Sequence, residues 1–453
     1  MNIRLLFMPL ILLIGSCSMN KLSSTSSSVL LNFDEPSIYT DYYVVHINNE
    51  RYLKILVEII PNVSTQLYSN DSLYTFEVTL EITSTQDSLM HAKKDEITLP
   101  ISQKNSVLEY VYPINNKEVN YRLHIISPSL YIDKIFNHST ISKKNEINGI
   151  GSIEPGFISK EGHFSPFVKY VQQLETEKKF VARVTHKSTI SDSLEIRIVS
   201  ILSDNEIARP LHSRQFSTTS LAFRGIDYRK TDLIHSIHAS IKKGTTETIV
   251  VLPELNEGNY SIELRLISQE QEGDDNLLSK KKVALVDEKF PYYSSVKKQI
   301  EPYQYILPQD VFEAINGLTN PDSIEHVFIS YFKNQIKNRT TLTEVLKLYS
   351  NRVSEANYFF TNFKDGWKTD MGMVYIIYGP PLFVTRRYDE VLWHYTHEPN
   401  DPLRVFSFRR VRLNSIYFPF DHYLVRRNPN YFQLNYSRIN DWRTGAILRY
   451  NRF

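Results

Sequence analysis

The chain has 453 residues, 42% of them hydrophobic and 23% charged, a balance that suits folded domains and excludes wholesale disorder. Its length is about three times the roughly 150-residue norm for one domain, which predicts two to four domains. Only 14 residues are glycine, under half of ordinary usage (~7%), so a glycine-rich phosphate loop is not expected. A formal net charge of +2 names no partner.

Met1–Arg4 supplies one positive charge, Leu5–Ile14 is almost unbroken apolar, and Gly15-Ser16-Cys17 follows. A charged start, a short apolar run and small residues describe a secretory signal over residues 1–16, too short to span a bilayer. Ile14-Gly15-Ser16-Cys17 resembles the bacterial lipobox. That resemblance implies cleavage before Cys17, attachment of acyl chains such as palmitate to it, and a lipid anchor in the membrane. Cys17 is the chain's single cysteine, so no internal disulfide forms and the fold must rest on core burial. Ser18, where inner-membrane lipoproteins carry Asp, implies the outer membrane. Residues 17–37 read as the lipidated cysteine and a Ser-rich tether. It lacks the acidic run of some surface-exported lipoproteins, which favours the periplasmic face.

From residue 38 to 145 the sequence alternates apolar and polar residues in short runs: Asp41–Ile47, Tyr52–Ile60, Leu73–Thr83, Glu96–Ile101, Val107–Tyr112, Tyr121–Ile126 and Leu130–Phe136. Turn residues separate them, which predicts an antiparallel β-sandwich. A second sandwich, immunoglobulin-like in its late turn and strand around Leu252–Leu264, is expected over 146–290. Its clearest strands are Lys179–Thr185, Leu194–Leu202, Glu247–Leu252, Tyr260–Ile267 and Lys281–Val286.

Residues 291–453 differ in character. Helical spacing appears at Gln309–Ile315, Asp322–Ile336 (opened by Asn320-Pro321) and Thr341–Phe360, a helical linker into a small α+β end module. All three tryptophans, Trp367, Trp393 and Trp442, fall in this last fifth. Val374–Tyr378, β-branched and aromatic, is expected to be a buried strand stopped by Gly379-Pro380-Pro381. Gly366 suits a tight turn, Trp367 an anchor, and Thr369 or Asp370 a bond to nearby backbone amides. The fold class is therefore mostly β, two tandem sandwiches followed by a helical segment and an α+β module.

Gly366-Trp-Lys-Thr-Asp370, continuing through Gly372 and Tyr375-Ile-Ile-Tyr-Gly379-Pro380-Pro381, resembles the GWxTD domain, a family of exported proteins from diderm bacteria. Glu390-Val-Leu-Trp393-His-Tyr395 is similar to the family's later acidic-x-x-Trp-x-Tyr element, and Arg352–Phe360 also fits. The family's usual basic residues near two positions are Met371 and Met373 here. The resemblance implies a fold for roughly residues 300–453 and no reaction.

Asp365, Asp370 and Glu390 are candidate acid–base carboxylates, against the expectation that Asp370 caps a turn and Glu390 pairs with Arg386 or Arg387. His394 and His397, with His422 or Glu398, and separately His235 and His238, are weighed as metal ligands. A three-residue gap puts two side chains on one face only in a helix, and neither stretch reads as helix, so no metal and no cofactor are expected. Asp71-Ser-Leu, Asp87-Ser-Leu, Asp192-Ser-Leu and Asp322-Ser-Ile resemble an O-glycosylation acceptor but also suit turn and cap chemistry. Residues 404–453 hold ten arginines, no lysine and twelve aromatics, a formal +8 against −6 for residues 1–403. Such a segment suits nucleic acid in a cytoplasmic protein. In an exported chain no nucleic acid is expected, and Arg409, Arg410, Arg412, Arg426 and Arg427 are candidate docking residues for an acidic partner or phosphate headgroups. The reading is a non-enzymatic outer-membrane lipoprotein that docks a protein partner in an envelope assembly or secretion complex. The alternative is an envelope hydrolase acting through Asp370 and Glu390.

Overall fold

A computed structural model describes residues 37–60, 73–84, 89–100, 106–114, 118–127, 132–141, 149–213, 226–267, 276–397, 404–411 and 420–449. Cys17, Asp71, Asp87, Glu398 and Arg412 lie outside the described residues. No helix among those described is long and apolar enough to cross a membrane.

The first unit contains β1 (Ser37–Ile47), β2 (Glu50–Ile60), β3 (Leu73–Ser84), β4 (Leu89–Pro100), β5 (Ser106–Pro113), β6 (Val119–Ser127) and β7 (Ile132–Ile141). They form two antiparallel sheets ordered β1-β2-β5 and β4-β3-β6-β7. Alternation along β2 and β5 on one side, and β3 and β6 on the other, sends Leu53, Ile55, Val57, Phe76, Leu80 and Leu123 into a shared core.

The second unit has β8 (Ile150–Ile158), β9 (Phe164–Pro166), β10 (Val171–Gln173), β11 (Lys179–His186), β12 (Ser193–Ser203), β13 (Ile226–Ser240), β14 (Glu247–Val251), β15 (Gly258–Leu266) and β16 (Leu277–Val286). One sheet runs β14-β11-β8-β9 and the other β10-β16-β15-β12-β13, with β10 and β16 parallel. Ala182 and Val184 of the first face Ile196, Ile262, Leu264 and Val283 of the second across the core.

The two sandwiches meet through β1, β8 and β11. The Val44 N–H donates to Ser152 Oγ at 3.1 Å, the His46 N–H to Thr185 Oγ1 at 2.9 Å, and the Tyr43 hydroxyl to the Phe167 carbonyl at 2.7 Å. Beside them Glu154, wholly buried, is held by Lys54 at 3.1 Å and Arg183 at 2.8 Å. Asp41 pairs with Lys281.

The third unit contains helices α1 (Val296–Ile300), α2 (Gln309–Asn316), α3 (Pro321–Gln335), α4 (Arg339–Phe360), α5 (Asp370–Tyr378) and α6 (Tyr431–Thr444). Its sheet has β17 (Phe383–Arg386), β18 (Glu390–His394), β19 (Val405–Arg410) and β20 (Tyr423–Val425), in that order. Asn320 caps α3 by accepting the N–H groups of Asp322 and Ser323, so Asp322-Ser323 sits in a helix's first turn. Trp367, Trp393 and Trp442 are all below 2% or at 2% exposure in one core.

Val374–Tyr378 is not a strand. It is the body of α5, started by Thr369 as N-cap and ended at Gly379, whose φ is +87°. The helix is buried all round, so it lacks the amphipathic period that separates helix from strand in a short apolar run.

Candidate functional site

The chain leaves α4 and turns back on itself through Gly366–Lys368, a single 3-10 turn. Three side chains fix this turn. Thr361 Oγ1 accepts the Gly366 N–H at 2.8 Å, and Asn357 Oδ1 accepts the Trp367 N–H at 3.1 Å. Thr369 Oγ1 donates to the Gly366 carbonyl at 2.7 Å while accepting the Gly372 N–H at 3.0 Å. The glycines are required by close backbone approach. A Cβ on Gly366 would run into the Ala356 carbonyl oxygen, and one on Gly372 into the Gly366 carbonyl oxygen. Trp367 is 1% exposed, with the Tyr305 ring edge-on at 5.9 Å and the Tyr305 hydroxyl donating to its carbonyl at 2.9 Å.

Asp370 does not cap the turn; Thr369 does. The Asp370 carboxylate reaches across to β20, where Oδ2 accepts the Val425 N–H at 2.8 Å. Arg427 holds the same carboxylate through both Nη groups, at 2.6 and 3.0 Å. Arg427 also donates to the Arg209 carbonyl of the second sandwich at 3.1 Å. Behind α5, the buried Arg352 donates to the Ile376 carbonyl at 3.2 Å and lies 5.1 Å from the Trp442 ring. Burial lowers its guanidinium to about 10. Gly379 leaves room for it, since a Cβ there would sit 2.7 Å from Arg352 Nη2. Tyr375 donates to Glu355 at 2.8 Å, and burial raises both groups above their ordinary ranges. The exposed Pro380 follows, and the Tyr395 hydroxyl closes the corner by donating to the Gly379 carbonyl at 2.7 Å.

Residues 270–444 match the family model described as the GWxTD domain. The chain carries a GWxTD domain. The match starts earlier than the expected boundary at 291 and takes in β16, the last strand of the second sandwich. No curated protein matches the chain. Among solved structures, it resembles a calcium-binding mutant of Bacteroides uniformis beta-glucuronidase 2 at 12% identity, covering 33% of this chain and 18% of that one, with a TM-score of 0.18. Red sea bream transglutaminase matches at 9% identity over 55% and 31%, TM-score 0.16. A two-domain fibronectin type-III segment of chicken tenascin matches at 12% over 55% and 99%, TM-score 0.14. The chain spans under a third of the first two, and at these scores none carries an argument about function.

The other candidate carboxylates of the GWxTD module are also engaged. Glu390 pairs with Arg387 at 3.1 Å and accepts the Ser407 hydroxyl. Asp365 pairs with Lys368 at 3.0 Å. A cavity of about 490 Å³ opens where all three units meet, and neither Asp370 nor Glu390 lines it.

The histidines do not converge as the H-x-x-H spacing would need. His394 is buried, stacked on Phe383 at 4.1 Å, with Thr385 Oγ1 3.1 Å from Nε2; His397 is exposed. His422 lies on the cavity wall, its Nδ1 3.0 Å from Asn362 Nδ2, and burial pulls it down to about 4. His235 is half-buried and His238 exposed on β13, where a three-residue step points to opposite faces.

Of the candidate docking arginines, Arg427 is a correction: its side chain is 13% exposed and committed to Asp370. Arg409, Arg410 and Arg426 are exposed. Arg410 pairs with Asp421, and Arg409 approaches Asp389 at 4.0 Å. The residues that sequence reading left out are the supports: Asn357, Thr361 and Tyr305. Asn357 had one readable signal, an amide set beside the apolar stripe of α4 ten residues before the tryptophan it holds.

Proposed function

We propose that this chain is a non-enzymatic accessory subunit of a cell-envelope complex, anchored to the outer membrane through Cys17 and docking a protein partner through its GWxTD module. The observation that carries the reading is the state of Asp370. A general acid or base must face substrate in a cavity, whereas this carboxylate is closed off by a backbone amide and a guanidinium and serves to join α5 to β20. The motif is thereby a device for building a rigid module. The exposed Arg409 and Arg426 supply the docking chemistry, since arginine's planar fork binds carboxylates bidentately. The periplasmic face is the side of the membrane this reading favours.

The test has two arms. Crosslinking in cells, followed by identification of the co-purified proteins, should return a reproducible envelope partner that is reduced in an Arg409→Glu, Arg426→Glu variant and more so at higher salt. Cys17→Ser should release the protein from the membrane fraction or leave it unprocessed. A variant that keeps its melting temperature and its full set of partners, or a Cys17→Ser protein still processed and retained in the membrane, overturns the corresponding arm.

A further inference from the structure

The cavity of about 490 Å³ lies at the junction of the three units, with Tyr39 and Ile60 from the first sandwich, Tyr170 from the second, and Phe360, Trp393 and Phe420 from the GWxTD module on its walls. Its size and aromatic lining fall within the range of small-molecule sites, which favour domain junctions. The walls are set by the fold. Val384 of β17 and Val391 and Trp393 of β18 alternate onto the cavity side of the small sheet. Trp393 packs on Phe360 with ring centroids 5.6 Å apart, and Tyr170 on Phe420 at 5.0 Å.

The charged groups on this cavity are unequal. Asp421, its one carboxylate, is taken by Arg410. Lys169 lies beside the buried Glu58. Arg386, the last residue of β17, shares the cavity face with Val384 and pairs with no carboxylate among the described residues. The neutral polar groups are largely occupied: Asn362 bonds His422, and Thr369 caps α5.

We infer that this junction is a binding site for a single-chain amphipathic anion, its apolar body against the aromatic wall and its carboxylate or equivalent head on Arg386. A sugar of this volume would need many hydroxyl partners that the occupied polar groups do not offer, and a cation would meet Arg386 and Lys169. The site draws on all three units, so the ligand also binds across their seams.

Trp393 provides the readout. The purified full-length chain is titrated with 11-bromoundecanoate, whose bromine quenches indole fluorescence, and in parallel with the neutral 11-bromoundecanol. Saturable quenching is expected, absent in a Trp393→Phe variant, with the carboxylate binding about tenfold tighter than the alcohol, the worth of one charge-assisted hydrogen bond. Arg386→Glu, a change at an exposed position, should erase that preference while leaving the melting temperature unchanged. Quenching that does not saturate, that survives Trp393→Phe, or that favours the carboxylate equally in Arg386→Glu overturns the assignment.

Discussion

Asp370 and Arg427 lie 57 positions apart in the chain and meet as a two-pronged ion pair, 2.6 and 3.0 Å, at the base of α5. The carboxylate is 5% exposed and the guanidinium 13%. One end of this pair belongs to the pentapeptide and the other to the arginine-rich segment, so the two oddities of the C-terminal sequence are parts of one construction.

Removing one member of such a buried pair leaves the other uncompensated. Asp370→Ala should destabilise the chain by about 3–5 kcal/mol, read from denaturant midpoints. Asp370→Asn keeps an acceptor for Val425 but strands Arg427, and should lose most of the same amount. A double Asp370→Asn, Arg427→Gln change should recover part of the loss; no recovery would show the two are not coupled.

The glycines of the turn make a sharper claim. Gly366→Ala and Gly372→Ala each push a methyl into a carbonyl oxygen of neighbouring backbone, and each should cost about 3 kcal/mol or prevent folding. Thermal unfolding of the two variants checks this, and a change under about 1 kcal/mol in either would contradict the packing.

Trp367 is enclosed and makes both a ring contact and a backbone contact with Tyr305. Trp367→Ala should cost about 3–5 kcal/mol, as large aromatic truncations in cores do. Tyr305→Phe keeps the ring and loses the hydroxyl, so its loss should be about 1 kcal/mol.

Stability should also fall on the acid side. Burial lowers His46 and His422 from 6.5 to about 4. The unfolded chain therefore binds more protons than the folded one between pH 6.5 and 4, and stability declines as pH falls through that window. His422→Gln should flatten part of the decline in denaturation curves taken from pH 7 to 4. An unchanged slope would remove His422 from the account.

Most strands were legible because a half-buried strand writes its period into the sequence, as Val119–Ser127 does with alternating buried and half-exposed residues. β8 was not. Gly151, Pro155 and Gly156 look like loop punctuation, yet Gly151 is small because the Thr185 hydroxyl of β11 and the Val44 carbonyl of β1 lie 2.6 and 2.7 Å from where its Cβ would be. Those constraints come from a strand further along the chain and from another domain, and leave no local trace. The same holds at the motif: its residues were visible, but Asp370's partner on β20 and the amide of Asn357 are tertiary facts. The expected turn cap was one residue off because Thr369 and Asp370 are both good caps, and only the approach of Arg427 decides which of them turns outward to another element.

The seams between the three units have a mechanical meaning. β1 is hydrogen-bonded to β8 and β11, Glu154 clamps Lys54 to Arg183, and Asn259 of β15 donates to the Phe363 carbonyl at 2.7 Å. A pull on the C-terminal module therefore runs through short polar contacts to the first strand without crossing a slack linker. The described units act as a strut: they set the distance and bearing between the first strand and the C-terminal module, and a load applied at one is felt at the other.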